Sequence, residues 1–239
     1  MGNRIVWKVL NKKQQEKILD EHRRWWEGNG GKQADLRGAD LSLADLSLAN
    51  LRGADLSLAN LRGAELNRAD LSLADLSLAD LRGADLSLAD LSLADLNRAD
   101  LSLADLSLAD LRGADLSLAD LNRANLNRAD LSLADLRGAD LRGADLSLAD
   151  LNRADLRGAK LKGALTIKAT YQCGPQGNRY DVLVAFLCSD GEVYFSTGYI
   201  HAVGKKEFLA MVRGTHSDND HAKKYALAVA HCVKMLESE

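Results

Sequence analysis

The sequence predicts a mainly β protein organised around a β-helix, and three observations carry that expectation. First, one phrase, Ala-Asp-Leu-x-x, recurs without a break over residues 34–164, its central leucine running from Leu36 to Leu161 in 26 consecutive repeats. A fixed short period sets the architecture before any local propensity is weighed. Second, a period of five suits no straight element. On an α-helix it advances the side chain about 140° beyond a full turn, spreading leucines over every face. In a straight strand an odd period sends Leu36 and Leu41 to opposite sides. Only a chain that bends once per repeat keeps each leucine, and the alanine two before it, pointing inward. Bends of one sense close into coils, stacked about 4.8 Å apart by backbone hydrogen bonds. Third, all eleven Trp, Tyr and Phe residues and all His, Cys and Met lie outside the repeats, so ordinary protein flanks a rod of Leu and Ala.

Residues 1–33 form the first segment. Arg4 to Leu10 is rich in β-branched and aromatic residues and reads as a short strand. Asn11 and Gln14 have the spacing of a capping box, opening a helix through about Glu27 with Ile18, Leu19, His22, Trp25 and Trp26 along one side. Gly28, Gly30 and Gly31 stop it. The first coil of a solenoid exposes leucines and unpaired edges, so a lid is expected there, with Trp25 and Trp26 as capping residues.

Within residues 34–164 the last two positions of each repeat take few forms: Ser-Leu twelve times, Arg-Gly eight, Asn-Arg five and Lys162-Gly163 once. Asp at the first outward position gives way only at Asn50, Asn60, Glu65, Asn125 and Lys160. Natural repeats drift residue by residue, whereas this stretch reads as whole blocks set end to end, an idealised designed array, with recent duplication as the natural alternative. Inward leucines are expected to stack from coil to coil as core ladders, each burial worth about 1.5–3 kcal/mol. The leucines of the Ser-Leu pairs are expected at exposed corners, where copies of the chain could associate.

The phrase that opens as Ala34-Asp35-Leu36-Arg37-Gly38 and closes as Ala159-Lys160-Leu161-Lys162-Gly163 resembles the pentapeptide repeat family. The resemblance covers residues 34–164 and implies a right-handed, four-sided β-helix with twenty residues per coil. On such a coil Leu36, Leu56, Leu76, Leu96, Leu116, Leu136 and Leu156 form one core ladder, and at the corners Leu73 lies below Leu93 and Leu88 below Leu108. Twenty-six repeats then make about 6.5 coils and a rod of roughly 30 Å. More loosely, His22 to Gly31 and Glu207-Phe208 through Tyr225 are similar to the flanks of bacterial and phage members. That likeness implies a C-terminal β-meander with helices closing the far end.

Residues 165–239 agree. Thr166 to Tyr171 reads as a strand, Gly174-Pro175-Gln176-Gly177 as a turn into Tyr180 to Cys188, and Asp190-Gly191 as a hairpin leading to Val193 to Ile200. Two helices follow, over about 205–212 and 220–236. Cys188 and Cys232 read as buried apolar fillers.

Charge and chemistry exclude several classes. The net charge of −3 divides into +4 over residues 1–33, −7 over 34–164 and zero beyond, which argues against a basic nucleic-acid groove. There is no apolar run of membrane-spanning length and no export signal, and the three cysteines suit a reducing cytoplasm. Catalytic pairs are nearly absent from the rod, whose aspartates recur on solvated faces, so no enzyme and no cofactor are expected. His216, Asp218, Asp220 and His221 form the one dense metal-type cluster, at a spacing that matches no recurrent motif, and either aspartate serves equally as a helix N-cap. The leading reading is therefore a structural solenoid. The family resemblance adds an alternative, since some members imitate DNA and occupy the DNA-binding saddle of a type II topoisomerase such as DNA gyrase. A third reading puts ligand or metal binding in the C-terminal segment. Self-association is expected through the corner leucines or the terminal strands.

Overall fold

A computed structural model describes residues 12–146, 149–151, 153–162, 165–175, 182–188, 193–197, 200–204 and residue 229. The rod is a quadrilateral β-helix. Twenty-two parallel bridges run from Asp35↔Asp55 to Asp140↔Lys160, every one joining residues twenty apart. Twenty residues per coil and five per repeat make four sides. A side this short leaves room for a single bridging residue, so the walls are ladders of isolated bridges instead of extended strands.

Each repeat makes the same bonds. The central leucine N–H donates to the carbonyl of the first outward residue one coil on, as from Leu96 to Asp115 at 2.7 Å, while Asp95 N–H donates back to Ala74 O at 2.9 Å. The leucine carbonyl then accepts from the alanine N–H three residues later, as in Ala99 N–H to Leu96 O at 3.0 Å. That bond closes a four-residue turn whose third residue has a positive φ, the signature of a type II turn. Ala and Leu point into the tube and form one continuous core. From Leu51 to Leu136 the central leucines are 0% exposed. Propensity alone would make Ala-, Leu- and Asp-rich sequence helical. Stacking overrides it because every bend places another leucine in the core and another pair of backbone groups opposite its neighbours.

Before the rod, α1 spans Lys12–Trp26. Ile18 and Leu19 pack partly buried against the core's open end. The strand expected over residues 4–10 lies outside the described residues. After the rod, β1 (Lys160–Lys162), β2 (Leu165–Pro175), β3 (Val182–Cys188), β4 (Val193–Thr197) and β5 (Ile200–Gly204) form an antiparallel sheet in chain order. Lys160 belongs both to the last parallel bridge and to β1, so the meander is continuous with the final coil.

One strand differs from the sequence expectation. Val193 to Ile200 is not one strand, because Thr197 pairs with Ile200 across β4 and β5. Gly198 and Tyr199 lie outside the described residues. The helices expected over 205–212 and 220–236 lie outside the described residues apart from Val229, which is helical and buried. Cys232 lies outside them too.

Candidate functional site

The outward chemistry of the rod begins at the first outward position of each repeat, the residue after the alanine. The Asp side chain folds over its own corner, its Oδ1 accepting from the N–H two residues on, as in Ser77 N–H to Asp75 at 2.9 Å and Asn97 N–H to Asp95 at 2.9 Å. This is the Asx-turn use of a short carboxylate. Where serine follows, its hydroxyl donates to the same oxygen, as Ser72 does to Asp70 at 2.6 Å and Ser117 to Asp115 at 2.5 Å. Asparagine does the same work at Asn50 and Asn60. It also relieves the column: Asn60 Nδ2 donates to Asp40 Oδ1 at 3.0 Å, and Asn125 Nδ2 to Asp105 Oδ1 at 3.1 Å, across neighbouring coils.

Arginine of the Arg-Gly pairs neutralises the column differently. Arg82 pairs with Asp80 two residues back and reaches Asp100 on the next coil at 3.4 Å. Arg112 spans Asp110 and Asp130, and Arg137 spans Asp135 and Asp155. Hydrogen bonds from these guanidiniums hold the Asp80, Asp110, Asp135, Asp140 and Asp155 carboxyls below the usual carboxylate range, against a smaller opposing effect of burial. The aspartates are thus engaged chiefly with their own backbone corners, and the guanidiniums of Arg37, Arg82, Arg112, Arg137, Arg142 and Arg157 with carboxylates.

At the corners, the fifth position has φ between 56° and 62° in sixteen Leu or Arg residues and between 61° and 75° in eight glycines. Eleven leucines stand exposed there, from Leu43 to Leu133, while the ladder Leu36, Leu56, Leu76, Leu96, Leu116, Leu136 and Leu156 is buried. Corner leucines lean toward the next coil where that coil offers a glycine. A Cβ built on Gly63, Gly113 or Gly138 would lie 2.8–2.9 Å from a methyl of Leu43, Leu93 or Leu118.

The N-terminal end is tied by a histidine. His22 is fully buried. Its Nδ1 accepts from Ala34 N–H at 3.0 Å and its Nε2 lies 3.1 Å from the Arg52 carbonyl, so it bridges the entry of the first coil to its last corner. Trp25 stacks on the imidazole at 5.5 Å, and the Arg52 guanidinium sits over the Trp26 ring at 4.6 Å. Trp25 and Trp26 remain 37% and 41% exposed, while Ile18, Leu19 and His22 face the tube. Sequence reading counted His22 as one more residue of the apolar helix face. Its position twelve residues before the first repeat gives no sign of a backbone clamp.

His216, Asp218, Asp220 and His221 lie outside the described residues. Among the described residues, no group of three or more His, Cys, Asp or Glu is arranged to hold a metal ion, and no helix is long and apolar enough to cross a membrane.

Comparison with known proteins bears on the rod. The family model for pentapeptide repeats matches residues 32–63, 54–92, 89–128 and 129–165, more than half of the chain. The chain is a member of the pentapeptide repeat family. Its rod is the right-handed quadrilateral β-helix of that family. Solved pentapeptide repeat structures are similar to it. HetL, from the cyanobacterium Nostoc sp. strain PCC 7120 and involved in heterocyst differentiation regulation, is 44% identical over 54% of this chain, with a TM-score of 0.39. The match spans 62% of HetL's length. Rfr23 from the cyanobacterium Cyanothece 51142 is 27% identical over 62% of this chain and 97% of its own, with a TM-score of 0.30. QnrB1, a plasmid-mediated fluoroquinolone resistance protein, is 24% identical over 55% of this chain and 79% of its own, with a TM-score of 0.35. No curated protein sequence matches the chain.

Proposed function

We propose that this pentapeptide repeat protein is a non-enzymatic structural solenoid, an idealised designed array whose role is its own fold. In this reading α1 with the segment before it covers one end, and the β-meander with two helices closes the other. The observation that carries the reading is how the rod's polar groups are used. Asp caps its own corner, Ser and Asn reinforce the cap, and Arg spans consecutive coils. Groups used in this way serve the fold, closing each corner and tying one coil to the next. The uniform corner, with one φ whichever pair fills it, also fits a chain assembled from interchangeable blocks.

A DNA gyrase supercoiling assay tests the role. The intact chain is expected to leave supercoiling unchanged at micromolar protein, and inhibition at that level would overturn the scaffold reading in favour of a DNA mimic. Repeats with divergent synonymous codons in a genome would overturn the designed origin. Any self-association falls, on this reading, to the corner leucines or the terminal strands. Sedimentation of the chain with Leu88→Ser and Leu108→Ser would return it to a monomer if the corners are responsible.

A further inference from the structure

The N-terminal lid is fastened by a titratable group whose two bonds dictate its protonation state. Ala34 N–H can only donate, so Nδ1 of His22 must be bare; the Arg52 carbonyl can only accept, so Nε2 must carry the proton. A second proton can enter only at Nδ1, where the Ala34 N–H already points. We propose that His22 is an acid-sensitive latch: protonation at Nδ1 breaks the bond to Ala34 and releases α1 from the first coil, uncovering the N-terminal end of the tube while the coils stay wound. This goes beyond the scaffold reading and does not depend on it.

The surroundings set the direction. Asp70 on the rod is the charged group that acts on His22, Glu21 and Arg23 flank it on α1, and the Arg52 guanidinium lies over Trp26. Arg23 is engaged at the surface with Asp20 and Glu27, and Glu21 with Lys17. Burial opposes the charged imidazolium more than the Arg52 carbonyl and Asp70 favour it, holding His22 below the ordinary histidine value. The sign follows by linkage. A released histidine takes its proton near pH 6.5 and a latched one only at lower pH, so the latch is at full strength above about 6.5 and weakens as pH falls. The coils have no such dependence in this window, because their ionised groups are carboxylates and guanidiniums.

The test uses the intact chain, whose three tryptophans, Trp7, Trp25 and Trp26, all lie in the N-terminal segment. Tryptophan emission and far-UV circular dichroism are followed together from about pH 7.5 to about 4.5, the range in which histidine titrates. The latch predicts an emission transition with its midpoint below the ordinary histidine value and no loss of the β signal. His22→Gln can accept from Ala34 N–H and donate to Arg52 O without titrating, and it should abolish the transition. Asp70→Asn, which keeps the corner acceptor as Asn50 does, should move the midpoint to lower pH. If the Gln variant fails to seat its lid, its emission at neutral pH should match the acid form of the parent, and the Asp70→Asn shift then decides. A flat emission profile, an unchanged transition in the Gln variant, an unmoved midpoint in the Asn variant, or loss of the β signal together with the emission change would each overturn the proposal.

Discussion

Two leucines three residues apart separate the tube from any other arrangement of this sequence. Leu96 is 0% exposed in the middle of its ladder, with Leu76 and Leu116 one coil to either side. Its own N–H is fixed to Asp115 O, and the preceding Asp95 N–H to Ala74 O. Truncating a buried leucine to alanine costs about 2–5 kcal/mol, more where the walls cannot move into the space left behind. Here both neighbouring coils are pinned by backbone bonds, so Leu96→Ala should fall in the upper part of that range, about 3–5 kcal/mol. Leu93 is 62% exposed at a corner. Its buried two-fifths is worth roughly 0.6–1.1 kcal/mol, and alanine at the same positive φ inherits the strain unchanged. Leu93→Ala should therefore cost about 1 kcal/mol or less. Urea unfolding followed by circular dichroism reads the difference as a shift in midpoint at constant slope. Costs for the two variants that agree within about 1 kcal/mol, or a larger cost at Leu93, would refute the assignment of inward and corner positions.

Three further outcomes are expected. Gly83→Ala meets open space at φ +64°; left-handed strain of about 1–2 kcal/mol, less about 0.4–1 kcal/mol gained from a stiffer unfolded chain, leaves a loss no larger than about 1.6 kcal/mol in thermal or urea unfolding. Gly31→Ala instead drives a Cβ to 2.1 Å from the Glu21 carbonyl oxygen, so α1 should lift off and tryptophan emission should shift toward solvent at neutral pH. Asp140 lies below the usual carboxylate range chiefly through Arg142; its contribution to stability is complete above about pH 3.9 and is lost as pH falls through its lower folded value. Arg142→Gln should move the Asp140 titration, read by carboxyl NMR, upward toward the ordinary range.

Much of this architecture was legible in the spacing. A five-residue phrase cannot bury its leucine in any straight chain, and that alone required a bend per repeat, inward Leu36 and Leu96, and exposed Leu73 and Leu93. Four sides needed the family resemblance, because bending of one sense is equally compatible with three. The backbone sign at the corner was not legible, although a signal existed: glycine alternates with Leu and Arg at one position, the mark of a φ that glycine adopts at least cost. The lid was legible as a helix but not as a mechanism. The two aromatic residues drew the capping role, whereas His22 holds the first coil through backbone groups of Ala34 and Arg52, which sequence does not display. The split of β4 from β5 was hidden for a simpler reason: β-branched residues on both sides of Gly198 read as one run.

The corners explain why so uniform a sequence can still vary. Left-handed backbone costs a residue with a Cβ about 1–2 kcal/mol, yet sixteen Leu and Arg residues accept it at nearly one φ. A side chain that set its own backbone would scatter, so the corner is dictated from elsewhere. The Leu-to-Ala turn bond, the Asp Oδ1 cap and the bonds to both adjacent coils hold each corner from several directions, while the buried leucine of the same repeat returns about 1.5–3 kcal/mol. Burial of that size offsets the strain without glycine's help. The identity of the last two residues is thereby released from folding and decides only what the corner presents: an apolar methyl cluster, a guanidinium that spans two coils, or bare backbone into which the preceding coil's leucine leans. A fold that fixes its backbone with Ala, Asp and Leu leaves two positions in five free to write a surface, and this chain fills them with three recurring pairs and a single Lys-Gly.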